Sequence, residues 1–239
     1  SAGNTGATMI AAKMIVGTIA GVDRPALAGL FPNRSSSRTV VLDVGANVGA
    51  KPAQLRQFAV MGHFYAQELL DIPAPRGGLM SIGEEEVKGT DLTKAVYKVL
   101  ETTGLNFIGN VEGGAAFDGT ADVVVCDGFV GNAILKSGEA VVEMLLGRLK
   151  EELDAKLLSR LGMALAGPAL RELAQHTDYR EHGGAPLLGL KGGCFVAHGR
   201  SDGTAIKNLI LRAAEFCETD MHIKIRDKVA ELHSQEDLM

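Results

Sequence analysis

The sequence predicts an α/β domain: a doubly wound, mostly parallel sheet with helices on both faces. Three observations carry this reading. Short apolar runs, such as Val123-Val124-Val125, alternate with longer stretches of helical period. Small polar loops follow those runs. Glycine is abundant, at 30 of 239 residues, and tryptophan is absent, which suits many tight connections between strands and helices. The length is enough for one large α/β domain.

The central unit is the stretch 121–140, ADVVVCDGFVGNAILKSGEA. Three valines bounded by turn residues fit a strand buried on both faces. Asp127 and Gly128 close it, Gly128-Phe129-Val130-Gly131-Asn132 reads as a tight loop, and a helix follows from about Ala133. Strand, glycine loop and helix in that order direct backbone N–H groups towards a ligand. Ligands of open α/β sheets bind at the carboxyl ends of strands, where Asp127 and Asn132 fall. The bland alternative is a plain turn with Asn132 as the helix N-cap.

The other elements take their places around this unit. Residues 1–6 form a small-residue loop entering a helix over 5–19, with Met9, Ile10, Met14 and Ile15 on one face. Arg24-Pro25-Ala26 breaks it. A strand over 38–44 exits into the loop 45–49, and Pro52 suits the first turn of a helix running to about residue 70. A strand over 79–82 leads to the Glu84-Glu85-Glu86 run and Lys88, and Thr90 or Asp91 caps a helix to about residue 102. A strand follows over 106–111 and a loop over 112–119. Late in the chain, a strand is expected over 194–198 and a helix over 201–218.

One region departs from the alternation. Between 141 and 181 no strand is convincing, and leucines recur at 145, 149, 153, 157, 161 and 165. A four-residue step drifts about 40° per repeat on a 3.6-residue helix, so this row cannot form one straight seam. Gly147, Gly162 and Gly167-Pro168 are expected to split or bend it. The segment reads as a helical excursion within a single domain. Its leucines suit a dimer interface, ahead of a second core layer or an amphipathic contact with a membrane surface.

The totals exclude several classes. A net charge of −5 argues against a nucleic-acid partner. Cys126, Cys194 and Cys217 form no CxxC pair and no even framework, which fits a reducing cytoplasm. No apolar run reaches the roughly 18 residues of a spanning helix, and no signal peptide is visible. The dinucleotide fingerprint GxGxxG, the nucleophile elbow GxSxG and the zinc motif HExxH are missing, and Lys136-Ser137 lacks the glycine of a phosphate loop because Leu135 stands there. Cys126 at a strand end reads as a buried structural cysteine rather than an acyl-accepting thiol, because no histidine lies nearby in sequence. What remains is a set of loops at strand ends, rich in amides and hydroxyls and poor in bases. Such a set suits binding an oxyanion or carbonyl more than proton shuttling.

These loops resemble those of the bacterial phosphate acyltransferases of phospholipid synthesis. The carrying segments are SAGNTGA at 1–7, LDVGANV at 42–48, IGEEEVKGT at 82–90, NFIGNVEG at 106–113, ADVVVCDGFVGN at 121–132 and YREHGGAPLLGLKG at 179–192. Gly49-Ala50 and Gly193-Cys194-Phe195 are mild departures from the pattern. The resemblance implies a three-layer fold like that of the isopropylmalate dehydrogenases and phosphate acetyltransferases, and an enzyme making acyl phosphate from acyl-acyl carrier protein and inorganic phosphate. It implies no metal or organic cofactor, acyl carrier protein as partner, a homodimer, and a cytoplasmic protein with peripheral membrane contact. Lys88 and Asn132 are the implied catalytic residues. Asn4, Thr5, Asp43, Asn47, Asn110, Glu112, Asp127, Gly128 and Gly131 are the implied substrate-binding ones. Family members also carry an Asp- and Gly-rich portion ahead of SAGNTGA, so the resemblance implies an N-terminally truncated chain. The alternatives are a phosphate acetyltransferase-like enzyme using acyl-coenzyme A, and a non-catalytic binder of acyl carrier protein or membrane.

Overall fold

The computed structural model describes residues 1–35, 37–154, 166–168 and 184–236. Helix α1 (Thr5–Ile15) is followed by strands β1 (Ala26–Pro32) and β2 (Arg38–Leu42), then α2 (Pro52–Leu69), β3 (Gly77–Met80), α3 (Asp91–Glu101) and β4 (Phe107–Val111). Next come the short α4 (Ala115–Asp118), β5 (Val123–Val125) and the long α5 (Gly128–Asp154). The chain closes with β6 (Ala185–Leu188), β7 (Phe195–Val196), α6 (Gly203–Cys217) and α7 (Met221–Glu236).

The strands form one seven-stranded sheet in the order β4-β3-β5-β2-β1-β6-β7. Strand β5 lies inside its parallel half, with Val124 opposite Gly78 on one side and Val41 on the other. Strands β1, β6 and β7 extend the sheet by antiparallel pairing. The fold is therefore α/β with a mixed, mostly parallel sheet, and helices lie on both faces.

Side-chain alternation splits the core into two layers. Val40, Leu42, Val123 and Val125 face one cluster with Phe58, Leu55 and Met61 of α2. Val41 and Val124 face the other, with Phe31, Val44, Ala12 of α1 and Ala116 of α4. Period two in the strands produces this division. Helix α2 is buried nearly all round, and its polar side chains are used: Gln57 donates to the Gly21 carbonyl at 2.8 Å and accepts from the Asp23 N–H at 2.9 Å. Helix α7 covers α2 through Met221, Ile225, Val229 and Leu232, spaced by four, four and three residues, so they share one face. Each such buried side chain contributes roughly 1.5–3 kcal/mol relative to exposure.

The structure corrects the sequence expectations at several points. Helix α1 stops at Ile15 because Gly17 takes a left-handed φ of 79° and Thr18 bridges to Leu190. Its expected apolar face buries only partly, at Met9, which packs with Ala12 against the core, while Ile10, Met14 and Ile15 stay exposed. Strand β1 begins at Ala26, the last residue of the expected break, where ALAGLFP gives little strand signal, yet it pairs with β2 from Ala28↔Leu42 to Pro32↔Arg38. Strand β6 and helix α7 were not expected either. The expected loop 128–132 is helical, and α5 runs through Gly147 unbroken to Asp154. Gly147 does not split it because an exposed glycine inside a long helix only lowers local stability, by about 1 kcal/mol. Leu157, Leu161, Leu165 and Gly162 of the expected bend lie outside the described residues.

Candidate active site

The parallel strands β4, β3, β5 and β2 release their loops at one carboxyl edge, in that spatial order. Asp43 leaves β2 and is fully buried. Its carboxylate accepts from the N–H groups of Leu27 at 3.0 Å, Gly45 at 3.3 Å, Ala46 at 3.1 Å and Asn47 at 2.6 Å, and from the Asn47 side-chain amide at 2.9 Å. Burial pushes this carboxyl above its ordinary value, and the donors pull it back. Asn47 also donates to the Pro25 carbonyl at 2.8 Å. This pair ties β1, β2 and the β2–α2 loop into one unit.

Helix α5 is seated on that unit through two glycines. A Cβ on Gly128 would lie 2.8 Å from the backbone of Asn47. Its own N–H donates to the Asn47 carbonyl at 2.8 Å. Gly131 presses against the Asp43 carbonyl. Asp127 caps the helix: its carboxylate accepts from the Val130 N–H at 3.0 Å and from the Gly49 N–H at 3.3 Å. At the start of α5, Asp127 and the Asn47 carbonyl thus take up the N–H groups of Val130 and Gly128, which were expected to face an anion. Asn132 is a correction of the same kind. It sits in the second turn of α5, not at its cap, because the close approach of Gly128 and Gly131 starts the helix five residues earlier.

Its position is nonetheless informative. The exposed Asn132 side chain lies over Gly45, whose missing Cβ would be 3.4 Å from the Asn132 Oδ1. Gly45 holds a φ of 130°, where a side chain would be strained. Among the described residues the Asn132 amide has no hydrogen-bond partner. It opens onto a cleft of about 210 Å³ together with Thr5 and Lys136. Lys136, one helical turn beyond Asn132, pairs with Glu139 at 2.8 Å. Sequence reasoning considered Lys136 only as a failed phosphate-loop lysine. Its i, i+4 spacing from Asn132 was the available signal.

A second group of residues stands at the exits of β3 and β4. Lys88 is half exposed on the β3–α3 loop, 4.0 Å from Glu85. The Glu85 carbonyl accepts from the Lys88 N–H at 3.0 Å and from the buried Asn110 amide at 2.9 Å. Asn110 therefore holds the loop that carries Lys88. Glu112 is exposed at the exit of β4, and its carbonyl accepts from Ala115. Asn4 caps α1 by accepting from the Ala7 N–H at 3.1 Å.

The nominated residues therefore divide in two. Asn4, Asp43, Asn47, Asn110, Asp127, Gly128 and Gly131 are engaged in building the loops. Lys88, Glu112 and Asn132 are exposed, and the partly buried Thr5 lines the cleft. Cys126 is buried, its thiol facing the Asp43 carbonyl. Burial and the neighbouring charges of Asp43 and Asp127 push that thiol far up, so it stays protonated and inert as a nucleophile.

Comparison with known proteins decides what these loops belong to. Residues 1–224 match the fatty acid synthesis protein family. Phosphate acyltransferases of Pelotomaculum thermopropionicum and Clostridium perfringens are each 48% identical over 96% of this chain, which spans 67% and 68% of their lengths. The phosphate acyltransferase of Campylobacter lari is 49% identical over 96% of the chain, with 69% of its own length matched. The chain belongs to the phosphate acyltransferase family. Solved phosphotransacetylases share its fold: that of Streptococcus pyogenes has a TM-score of 0.57 at 20% identity, covering 91% of this chain and 61% of that one. That of Staphylococcus aureus has a TM-score of 0.56 at 16% identity, covering 86% and 58%. These two likenesses concern the fold alone.

Proposed function

We propose that the chain works as a phosphate acyltransferase. It transfers the acyl group of acyl-acyl carrier protein to inorganic phosphate, releasing acyl phosphate and free carrier protein in fatty acid and phospholipid biosynthesis. The observation that carries this reading is Asn132: an unpartnered amide on a glycine floor, at the mouth of a cleft, in a chain of this family. A phosphate oxygen attacks the thioester carbonyl carbon, the carbonyl oxygen takes up negative charge, and the carbon–sulfur bond then breaks. The carrier thiolate leaves and is protonated by water. A thiolate is a good leaving group, so the protein's contribution is positioning and charge stabilisation. Asn132 donates to the developing oxyanion, and Lys88 holds the phosphate. Thr5 and Glu112 border the substrates, and the Asp43–Asn47 and Asp127 hydrogen bonds keep the loops in place. No metal or organic cofactor is required.

Phosphate-dependent release of free thiol from acyl-acyl carrier protein is the expected result. Binding of the carrier with no release would leave only a binder. Equal or faster release from acyl-coenzyme A would favour an acetyltransferase-like enzyme instead.

The working unit in this reading is a homodimer in the cytoplasm. Support comes from α5, whose Leu145 and Leu149 share one helical face and are 58% and 41% exposed. Leu145→Asp combined with Leu149→Asp should elute as a monomer in gel filtration. Unchanged elution together with lost vesicle binding would instead assign that face to peripheral membrane contact. No helix among the described residues is long and apolar enough to cross a membrane.

A further inference from the structure

The cleft beside Asn132 has more apolar wall than a phosphate or a carbonyl needs. It lies between the first turn of α1, the strands β1, β6 and β7, and the helices α5 and α6. Its sides are built by Leu27, Val44, Leu135, Ala185, Val196 and Ala205. Gly29 is part of the floor, where a Cβ would sit 2.8 Å from both Phe31 and Val44. Asn132, Lys136 and Thr5, named above, contribute polar groups to the lining, as do His198 and Ser201. A site with polar donors beside an apolar enclosure matches a ligand with one polar reacting end and a hydrocarbon remainder.

We infer that this cleft receives the hydrocarbon chain of the acyl group and that its wall residues set the preferred chain length. The inference rests on the acyltransferase reading. Continuity makes the case: Asn132 serves the carbonyl and also lines the cleft, so the carbons attached to that carbonyl must enter or skirt it. Ala185 and Leu135 are the positions that tune its size. Both are partly buried against the same core layer, and neither makes a side-chain hydrogen bond. Ala185 is a small wall residue on β6, where a larger side chain would extend into the space. Leu135 is the large one whose trimming would open it.

The test uses palmitoyl- and octanoyl-acyl carrier protein at saturating phosphate. Ala185→Leu should lower kcat/KM for the palmitoyl substrate about tenfold or more while leaving the octanoyl substrate within about twofold, since a few misplaced methylenes cost this much in an apolar pocket. Leu135→Ala should move the ratio the other way. Opposite shifts in two variants with wild-type-like melting cannot arise from general damage. An unchanged ratio, or an equal loss for both lengths, as expected if the carrier's pantetheine arm occupied the cleft, overturns the inference. If Ala185→Leu fails to fold, Ala185→Val and Leu135→Ala decide by the same ratio. Equilibrium dialysis with hexadecyl phosphonate, a stable mimic of the product, gives a readout independent of turnover. A wild type that binds the phosphonate without releasing thiol sinks the acyltransferase reading. An active wild type whose phosphonate affinity is unmoved by Ala185→Leu sinks the cleft assignment alone.

Discussion

Gly131→Ala should destabilise the fold by at least about 3 kcal/mol, although alanine is the better helix former. In an open helix the same change favours folding by about 1 kcal/mol. Here an added Cβ would stand 1.9 Å from the carbonyl oxygen of Asp43, 2.8 Å from its carbonyl carbon and 3.1 Å from the Cys126 sulfur. The first two are backbone atoms, and no rotamer change relieves them. Asp43 cannot move away easily, because its carboxylate is held by N–H groups from both the β1 start and the β2–α2 loop. The helix must therefore lift off the sheet end, opening the packing of Cys126 and removing Asn132 from Gly45. A melting temperature lower by roughly 10 °C is expected for a chain of this size. Gly147→Ala is the control. It lies on the same helix with nothing within 4 Å of the added Cβ, so it should leave melting unchanged or raise it. Equal melting of the two variants would mean that α5 does not close on β2 as described.

Asn132→Ala should slow turnover by on the order of a hundredfold or more, with little change in stability or in binding of acyl carrier protein. One preorganised donor to a developing oxyanion typically has this effect. The stability half of the prediction comes from the structure: the side chain is exposed and unpartnered, and the helix cap belongs to Asp127. A structural role would reverse the pattern, with melting lowered and turnover preserved. Lys88→Ala should behave differently, raising the phosphate concentration needed for half-maximal rate as well as lowering the rate. Its loop is fixed by the Asn110 amide on the Glu85 carbonyl, so loss of the charge need not disturb the neighbouring strands. Near-normal turnover in Asn132→Ala would remove the oxyanion role.

Much of this protein was legible from local pattern. The valine run at 123–125 marked a strand buried on both faces, and Pro52 and Thr90 marked helix starts, because those features depend on neighbours a few residues away. The loop motifs were enough to identify the family. The reading of Cys126 as structural also follows locally, and its burial gives the reason. Strand β1 escaped because its pairing with β2 and β6 supplies what its own residues do not, a stable place in the middle of the sheet. Asp43 and Asn47 could be nominated, but not their arrangement, since five donors converge on one carboxylate only after two strands and a loop have met. The start of α5 was misplaced for a related reason. Glycine at 128 and 131 signals a loop when read along the chain. Tertiary structure makes both of them helical, because only residues without a Cβ let the helix touch the backbone of Asn47 and Asp43.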